Sequence, residues 1–325
     1  MKVAYRAAII GCGRIGGGYG EEGASASVAC HASAYLREER ISLIAAADRD
    51  LVTRDRMGRR WGLESLYVDH RDLLHAHQID ILSVCTPDET HAQIVRDAVD
   101  AGVKVVLCEK PLAPTVEEAK EIALYCEEFG CELFVGYQRR WEPAHRMLRK
   151  AVKDGRFGDI IAVNGYYVGG LRHNGCAWIN LVRFLVGELS DVRPIRSLSF
   201  DRDASRVGLS IEFACGAEGS LLAGDRNAYS LFEIDIIGTE GRLRLSDAGS
   251  EIEAWTVKED LRYPGFRRLV RSKPFWPSPE IHQGLNWCVT GIADFLEGKA
   301  ENPSPGTDAA VDMEWVDLAL AQRDE

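Results

Sequence analysis

YRAAIIGCGRIG, residues 5–16, decides the fold: a short apolar run breaks into Gly11, Gly13 and Gly16. An apolar strand that stops at a glycine turn and resumes as a helix points unpaired backbone N–H groups, and the positive end of the helix dipole, at an anion. In this pattern the first glycine permits the tight turn, the second lets a pyrophosphate approach the backbone, and the third lets the helix pack against the strand. Glycine-rich turns are common, so the surroundings must decide between a dinucleotide site and an ordinary loop. Here a strand precedes the motif, and a second apolar run, Ile41–Ala47, ends in Asp48. A carboxylate there accepts both ribose hydroxyls of an adenosine and repels a 2′-phosphate, which points to NAD rather than NADP. The adjacent Arg49 offers a counter-charge that softens this preference.

Outward from the motif, residues 17–27 (GGYGEEGASAS) form a glycine- and serine-rich insertion, read either as a loop over the bound ligands or as a surface insertion ahead of a helix at 31–40. A helix at 51–61, a strand at 66–68 and a helix at 69–76 come next. The strand at 79–85 then runs into Thr86-Pro87, and a parallel strand ending in such a turn delivers its loop to the carboxyl edge of the sheet, where ligands bind. Cys85, Thr86 and Pro87 are therefore candidate cofactor contacts. His91 opens the next helix and is either a capping or packing residue or a further contact. The strand at 103–107 brings Cys108-Glu109-Lys110-Pro111 to the same edge. Thr115 and Glu118 have capping-box spacing for a helix ending near Gly130, and 133–135 makes a last strand of a doubly wound pattern.

After this the grammar changes. Residues 137–143 (YQRRWEP) open a helix to about 154, and from 160 to 257 strands dominate, with one helix near 178–186. Val207, Leu209, Ile211 and Phe213 alternate with polar or small residues, the period of a half-buried antiparallel strand. Helices at 283–296 and 308–322 close the chain around the turn-forming NPSPG at 302–306. The expected organisation is α/β: a doubly wound parallel-sheet domain over 1–136 and an α+β domain over 137–325, whose C-terminal helices can pack back on the first.

Composition narrows the function. At 325 residues two domains are the natural expectation, and 46% hydrophobic with 27% charged residues is ordinary for a globular protein. A net charge of -11 argues against a general nucleic-acid or anionic-membrane surface. No apolar run approaches the roughly 20 residues of a membrane span, and the start of the chain has no signal-peptide character. Nine cysteines without CxxC spacing suit reduced, buried thiols in a cytoplasmic protein better than disulfides or a metal site.

The sequence resembles the glucose-fructose oxidoreductase / inositol dehydrogenase family. The resemblance rests on GCGRIG at Gly11, Asp48, CTPDETH at 85–91, CEKPLA at 108–113 and GYQRRWEP at 136–143, and it runs through the whole chain. It implies a Rossmann domain followed by a domain whose large, mainly antiparallel sheet carries substrate on one face and builds a homodimer or homotetramer with the other. It implies a cofactor site of Gly11, Cys12, Gly13, Arg14, Ile15, Gly16, Asp48, Arg49, Cys85, Thr86, Pro87, His91, Glu109, Lys110 and Gln138. Lys110 also has a case of its own: an ammonium at a strand's carboxyl edge can hydrogen-bond a reacting hydroxyl and stabilise its alkoxide character as hydride leaves.

The family's second catalytic element is an Asp, a Gly two residues on, a His two further, and an Asp three after that, leading into a helix. Setting Gly175 at that glycine places His173 at the first Asp, Ala177 at the His and Asn180 at the last Asp. A branch found with surface-polysaccharide genes resembles HNG followed by Ser or Thr and then His, whereas this chain reads HNGCA. Ala177 has no proton to exchange. An engineered substitution, His173 as the proton carrier, a weakened chemistry and an alignment shifted by one residue all stay open. Arg139, Arg140, Trp141, Tyr166, Tyr167, Arg172, His173, Asn174, Trp178 and Asn180 are candidate substrate contacts, since guanidinium forks suit phosphates and aromatic faces suit sugars or bases. The activity implied is NAD-dependent hydride transfer to or from a ring carbon of a sugar, cyclitol or nucleotide-linked sugar. The alternatives are an imine or pyrrole-type reductase and a catalytically weakened cofactor-binding sensor.

Overall fold

Residues 5–18, 29–195 and 206–324 are described by the computed structural model; most of the insertion at 17–27 and residues 196–205 of the strand-rich region lie outside that set. The contacts divide the chain into two units, Met1–Trp141 with His282–Val311, and Glu142–Ile281 with Asp312–Glu325.

The first unit is built on β1 (Tyr5–Ile10), β2 (Ile41–Ala47), β3 (Ser65–Tyr67), β4 (Ile81–Val84), β5 (Val105–Cys108) and β6 (Glu132–Val135), ordered β3-β2-β1-β4-β5-β6. All of their pairings are parallel. β4 and β5 are buried along their whole length, as expected of strands covered on both faces. The strand order reverses between β1 and β4, which opens a crevice at their carboxyl ends. Around the sheet run α1 (His31–Arg37), α2 (Leu51–Trp61), α3 (His70–Ala76), α4 (His91–Asp100) and α5 (Val116–Glu128). Local chemistry fixes their starts: Asp50 accepts from the Thr53 N–H at 2.7 Å, and Thr115 accepts from the Glu118 N–H at 3.2 Å.

Two expectations need correction. Among the described residues no α-helix continues directly from the glycine motif. Arg14–Gly18 makes one wide turn in which the Gly18 N–H reaches the Gly13 carbonyl, because three successive glycines favour a helix poorly. Nor does a helix begin at Tyr137. Residues Gln138–Arg140 form a single tight turn, since Pro143 restrains Glu142 to extended backbone and removes its own N–H. The next helix, α6 (Pro143–Lys153), starts there instead, with Glu142 accepting from the His145 N–H at 2.9 Å.

In the second unit β7 (Ile160–Tyr167) leads into α7 (Cys176–Leu185). Then come β8 (Leu189–Pro194), β9 (Leu209–Phe213), β10 (Glu218–Ala223), β11 (Phe232–Gly238), β12 (Gly241–Ser246), β13 (Glu251–Glu259) and β14 (Arg267–Arg271). They form one sheet, β14-β13-β12-β11-β7-β10-β9-β8, antiparallel except for β7 with β10. One face is apolar, with Leu209, Ile211, Phe213, Ile234, Ile236, Leu243 and Leu245 buried. The opposite face carries ion pairs such as Arg242–Asp235 and Arg244–Glu233. Every residue of α7 is buried. Its Trp178 lies against Gly165, where a β-carbon would fall 2.3 Å from the indole nitrogen, and that nitrogen donates to the Glu233 carbonyl at 2.8 Å.

Helices α8 (Gly284–Leu296) and α9 (Gly306–Asp324) end the chain. α8 joins the core of the first unit, where Leu285, Val289 and Ile292 are buried with Ile9, Tyr35, Phe134 and Trp141.

Candidate functional site

At the carboxyl ends of β1, β2 and β4 the first unit holds a cavity of about 550 Å³ bounded by Gly11, Gly13, Asp48, Arg49, Thr86 and Pro87. Each glycine of the motif has its own reason to lack a side chain. Gly11 has φ +94°, and a β-carbon there would lie 2.6 Å from the Cys85 carbonyl group. A β-carbon on Gly16 would lie 2.0 Å from the Gly11 carbonyl oxygen. A β-carbon on Gly13 would meet nothing within 4 Å, so its freedom serves whatever approaches from the cavity. Arg14 is exposed and Ile15 half-buried on the wide turn beyond.

Asp48 is held in place by backbone donors: the Cys12 N–H at 2.7 Å on one oxygen and the Asp50 N–H at 2.9 Å on the other. A carboxylate offers about four lone-pair sites, so acceptors remain for two hydroxyls. Cys12 contributes its backbone rather than its thiol, which is buried and pushed up to about 12 by burial and then by the Asp48 charge. Asp69, His70 and Arg71, just after β3, also line this cavity, and no motif in the sequence marks them. The rule that used the carboxyl edges of β4 and β5 applies equally to β3, and it could have found them.

His91 is nearly inaccessible, and its two ring nitrogens face the carbonyl oxygens of Pro111 at 3.0 Å and Thr86 at 2.8 Å. Its imidazole therefore ties two edge loops together and is not free to meet a cofactor. Glu109 and Lys110 come directly after β5, both half-buried, and Glu109 accepts from the His31 ring at 3.0 Å. Gln138 packs over Gly284, whose β-carbon would fall 2.7 Å from it.

Of the candidate substrate residues, several are occupied in packing. Arg140 is buried and binds the Pro303 carbonyl at 3.0 Å and the Asp308 carboxylate. Trp141 lies in the core against Phe134 and Gly291. Tyr167, on the buried face of β7, donates to the Val207 carbonyl at 2.9 Å, while Tyr166 points to the other face and is exposed. Trp178 is fully buried, and Asn180 donates to Asp312 at 2.6 Å. Arg140, Tyr167, Trp178 and Asn180 are corrected from ligand contacts to structural residues, because burial and partners account for their polar groups, and Trp141 is corrected on burial alone, its indole N–H having no hydrogen-bond partner. Arg139 is half-buried, and loss of solvent pulls its guanidinium down to about 10. Arg172, His173 and Asn174 stand in the turn before α7: Arg172 pairs with Asp317, His173 is exposed, and Asn174 donates to the Val168 carbonyl at 2.6 Å. Ala177 is the second residue of α7 and 8% exposed.

None of the nine cysteines is in a disulfide; eight are buried and Cys215 is exposed. Among the described residues no helix is long and apolar enough to cross a membrane.

Residues 5–137 match the profile of a family described as "Oxidoreductase family, NAD-binding Rossmann fold". Levoglucosan dehydrogenase of Pseudarthrobacter phenanthrenivorans is 28% identical, over 81% of this chain and 81% of its own length. D-apiose dehydrogenase of Paraburkholderia graminis is 26% identical, over 74% of this chain and 68% of its own. Among solved structures, the WlbA dehydrogenase from Bordetella pertussis, in complex with NADH and UDP-GlcNAcA, is similar with a TM-score of 0.79 at 20% identity, covering 99% of this chain and 97% of the other. At that identity the likeness is one of fold.

Proposed function

From the match of residues 5–137 to the oxidoreductase family model with an NAD-binding Rossmann fold, we propose that the chain transfers hydride between NAD and a ring carbon of a sugar, cyclitol or nucleotide-linked sugar. The observation that carries this reading is the cavity at the β1/β4 switch point, with open space at Gly13 and the backbone-held carboxylate of Asp48. Asp48 takes the adenosine ribose and the Gly13 turn the pyrophosphate, while the ends of β4 and β5 flank the nicotinamide. NAD supplies the hydride acceptor when bound.

The chain's own residues do the rest. The Lys110 ammonium hydrogen-bonds the reacting hydroxyl and stabilises the negative charge that grows on its oxygen. A cation accepts no proton, so another group must take it. In this reading that group is the exposed imidazole of His173, because Ala177 stands where the family's histidine is expected. Arg139, Arg172 and Asn174 are the proposed substrate contacts. Levoglucosan and D-apiose dehydrogenases as relatives favour a small sugar or sugar derivative. Ala177 itself favours a second reading, a cofactor-binding protein with weakened turnover.

A homodimer or homotetramer through the eight-stranded sheet is what the family resemblance implies, and nine cysteines outside any disulfide support a reducing cytoplasmic setting. The reading of the cofactor pocket is tested by direct titration. NAD should bind more tightly than NADP, and Asp48→Ala should weaken NAD more than NADP. Equal or tighter NADP binding by the wild type would refute it.

A further inference from the structure

Beside the cofactor cavity, the first unit holds a buried chain of polar side chains that hydride transfer alone leaves without a role. Tyr35, Ser83 and His31 are fully buried, and the Glu109 side chain is 13% exposed. The Tyr35 hydroxyl lies 2.7 Å from Ser83 Oγ, which lies 2.8 Å from His31 Nδ1, and His31 Nε2 lies 3.0 Å from Glu109 Oε1. One assignment of protons satisfies every member. An ionised carboxylate only accepts, so His31 carries its proton on Nε2 and donates it to Glu109. Nδ1 is then bare and accepts from the Ser83 hydroxyl, whose oxygen accepts from Tyr35. A neutral imidazole suffices throughout. Burial pushes the Tyr35 phenol well above its ordinary range, so it stays a donor and the chain ends there. The arrangement orients groups and has no outlet that would make it a proton wire.

The other end of the chain reaches the strand ends. Glu109 Oε2 accepts from the Lys110 N–H at 3.3 Å. A β-carbon on Gly136, just after β6, would meet both Glu109 carboxylate oxygens at 3.0 and 3.1 Å, so the carboxylate occupies the space that this glycine leaves. The Glu109 charge is felt by three buried thiols: after burial itself, it is the next cause raising Cys85, Cys108 and Cys288. A carboxylate among apolar walls and thiols is costly unless hydrogen bonds replace its water, and a carboxylate free to swing would carry the Lys110 backbone with it.

We propose that His31, backed by Ser83 and Tyr35, is a positioning residue for the Glu109–Lys110 turn: it fixes the Glu109 carboxylate, which fixes the Lys110 backbone and so the line along which the ammonium meets the reacting hydroxyl. This role rests on the reading that Lys110 contacts substrate. A displacement of about 1 Å at a reacting group can cost about 10²-fold in rate, so the chain matters although it touches no ligand.

The test compares His31→Leu and His31→Gln with the wild type, in the full chain, using NAD and the sugar or cyclitol that the wild type oxidises fastest. His31→Leu should lower kcat by about tenfold or more while KM for NAD changes less than about twofold. His31→Gln should recover part of the loss, because its amide N–H comes near the place of Nε2. Unchanged kcat in a folded His31→Leu, or equal losses in the two variants, overturns the positioning role. A second measurement needs no turnover: nitrogen-15 histidine NMR of the wild type should show a slowly exchanging His31 Nε2–H that shifts in Glu109→Gln. Absence of that signal, or no shift, overturns the hydrogen-bond chain. A wild type that gives the signal yet oxidises no sugar or cyclitol defeats the dehydrogenase reading and supports the geometry of the chain.

Discussion

Lys110 stands one residue beyond a carboxylate held from behind by a buried histidine, so its backbone is fixed while its half-buried side chain adds little to packing. Lys110→Ala should therefore melt close to the wild type and lose turnover by about 10²-fold or more. Wild-type turnover in a folded variant would remove the lysine from the mechanism. Ala177 presents the reverse case, a methyl in the first turn of α7 where an acid–base group is expected. Ala177→His should raise the oxidation rate by about 10²-fold and add a pH dependence near the ordinary imidazole value of about 6.5, with the faster rate above it, where the ring is neutral and accepts a proton. A folded, ligand-binding Ala177→His that is no faster would leave the proton transfer to His173.

The position of Lys110, just beyond β5, was legible in the sequence because an apolar parallel strand carries the residues after it to the sheet edge. Trp178, Tyr167 and Asn180 were misread because an aromatic ring or an amide serves a core as well as a ligand. What decides between the two is a partner far along the chain: Glu233 for Trp178, Val207 for Tyr167 and Asp312 for Asn180. The polar chain behind Glu109 escaped notice for the same reason, since His31, Ser83 and Glu109 meet only once β4 and β5 pair.

Among the elements, the glycine turn separates folding from binding. Gly13→Ala should fold like the wild type, since a β-carbon there meets nothing within 4 Å, and should weaken NAD by about tenfold or more, or ~1.4 kcal/mol. Gly16→Ala should cost folding stability, on the order of 1–3 kcal/mol for an overpacked contact, because its β-carbon would press on the Gly11 carbonyl. Thermal melting and NADH titration of the two variants check this division; a destabilised Gly13→Ala or a neutral Gly16→Ala would reverse it. The existence of these elements could be read from local chemistry, as the Asp50 and Thr115 caps illustrate. Their bounds were less legible. Pro143 stops a helix that the polar run 137–142 alone would allow, and three consecutive glycines yield a wide turn where the motif suggests a helix.

For the molecule as a whole, the alternation of strand and helix up to residue 135 gave the parallel sheet, because each crossover helix covers a strand buried on both faces. Periodicity announced the antiparallel half but not its strand order, in which β7 sits between β11 and β10 through pairings distant in sequence. The sequence allowed the C-terminal helices to pack back on the first domain, but which stretch does so, His282–Val311, was not legible, since an apolar helix face does not say which core it joins. The central claim joins that first unit to a reaction on a sugar-like ring, and formation of NADH tests it most directly. Wild-type protein and NAD would be offered levoglucosan, D-apiose, myo-inositol and a UDP-linked sugar, with NADH absorbance followed over time. The account predicts that NADH accumulates with at least one of them and that Lys110→Ala abolishes the signal. A wild type that binds NADH but forms none with any of them, or a Lys110→Ala variant that forms it equally fast, would contradict the account.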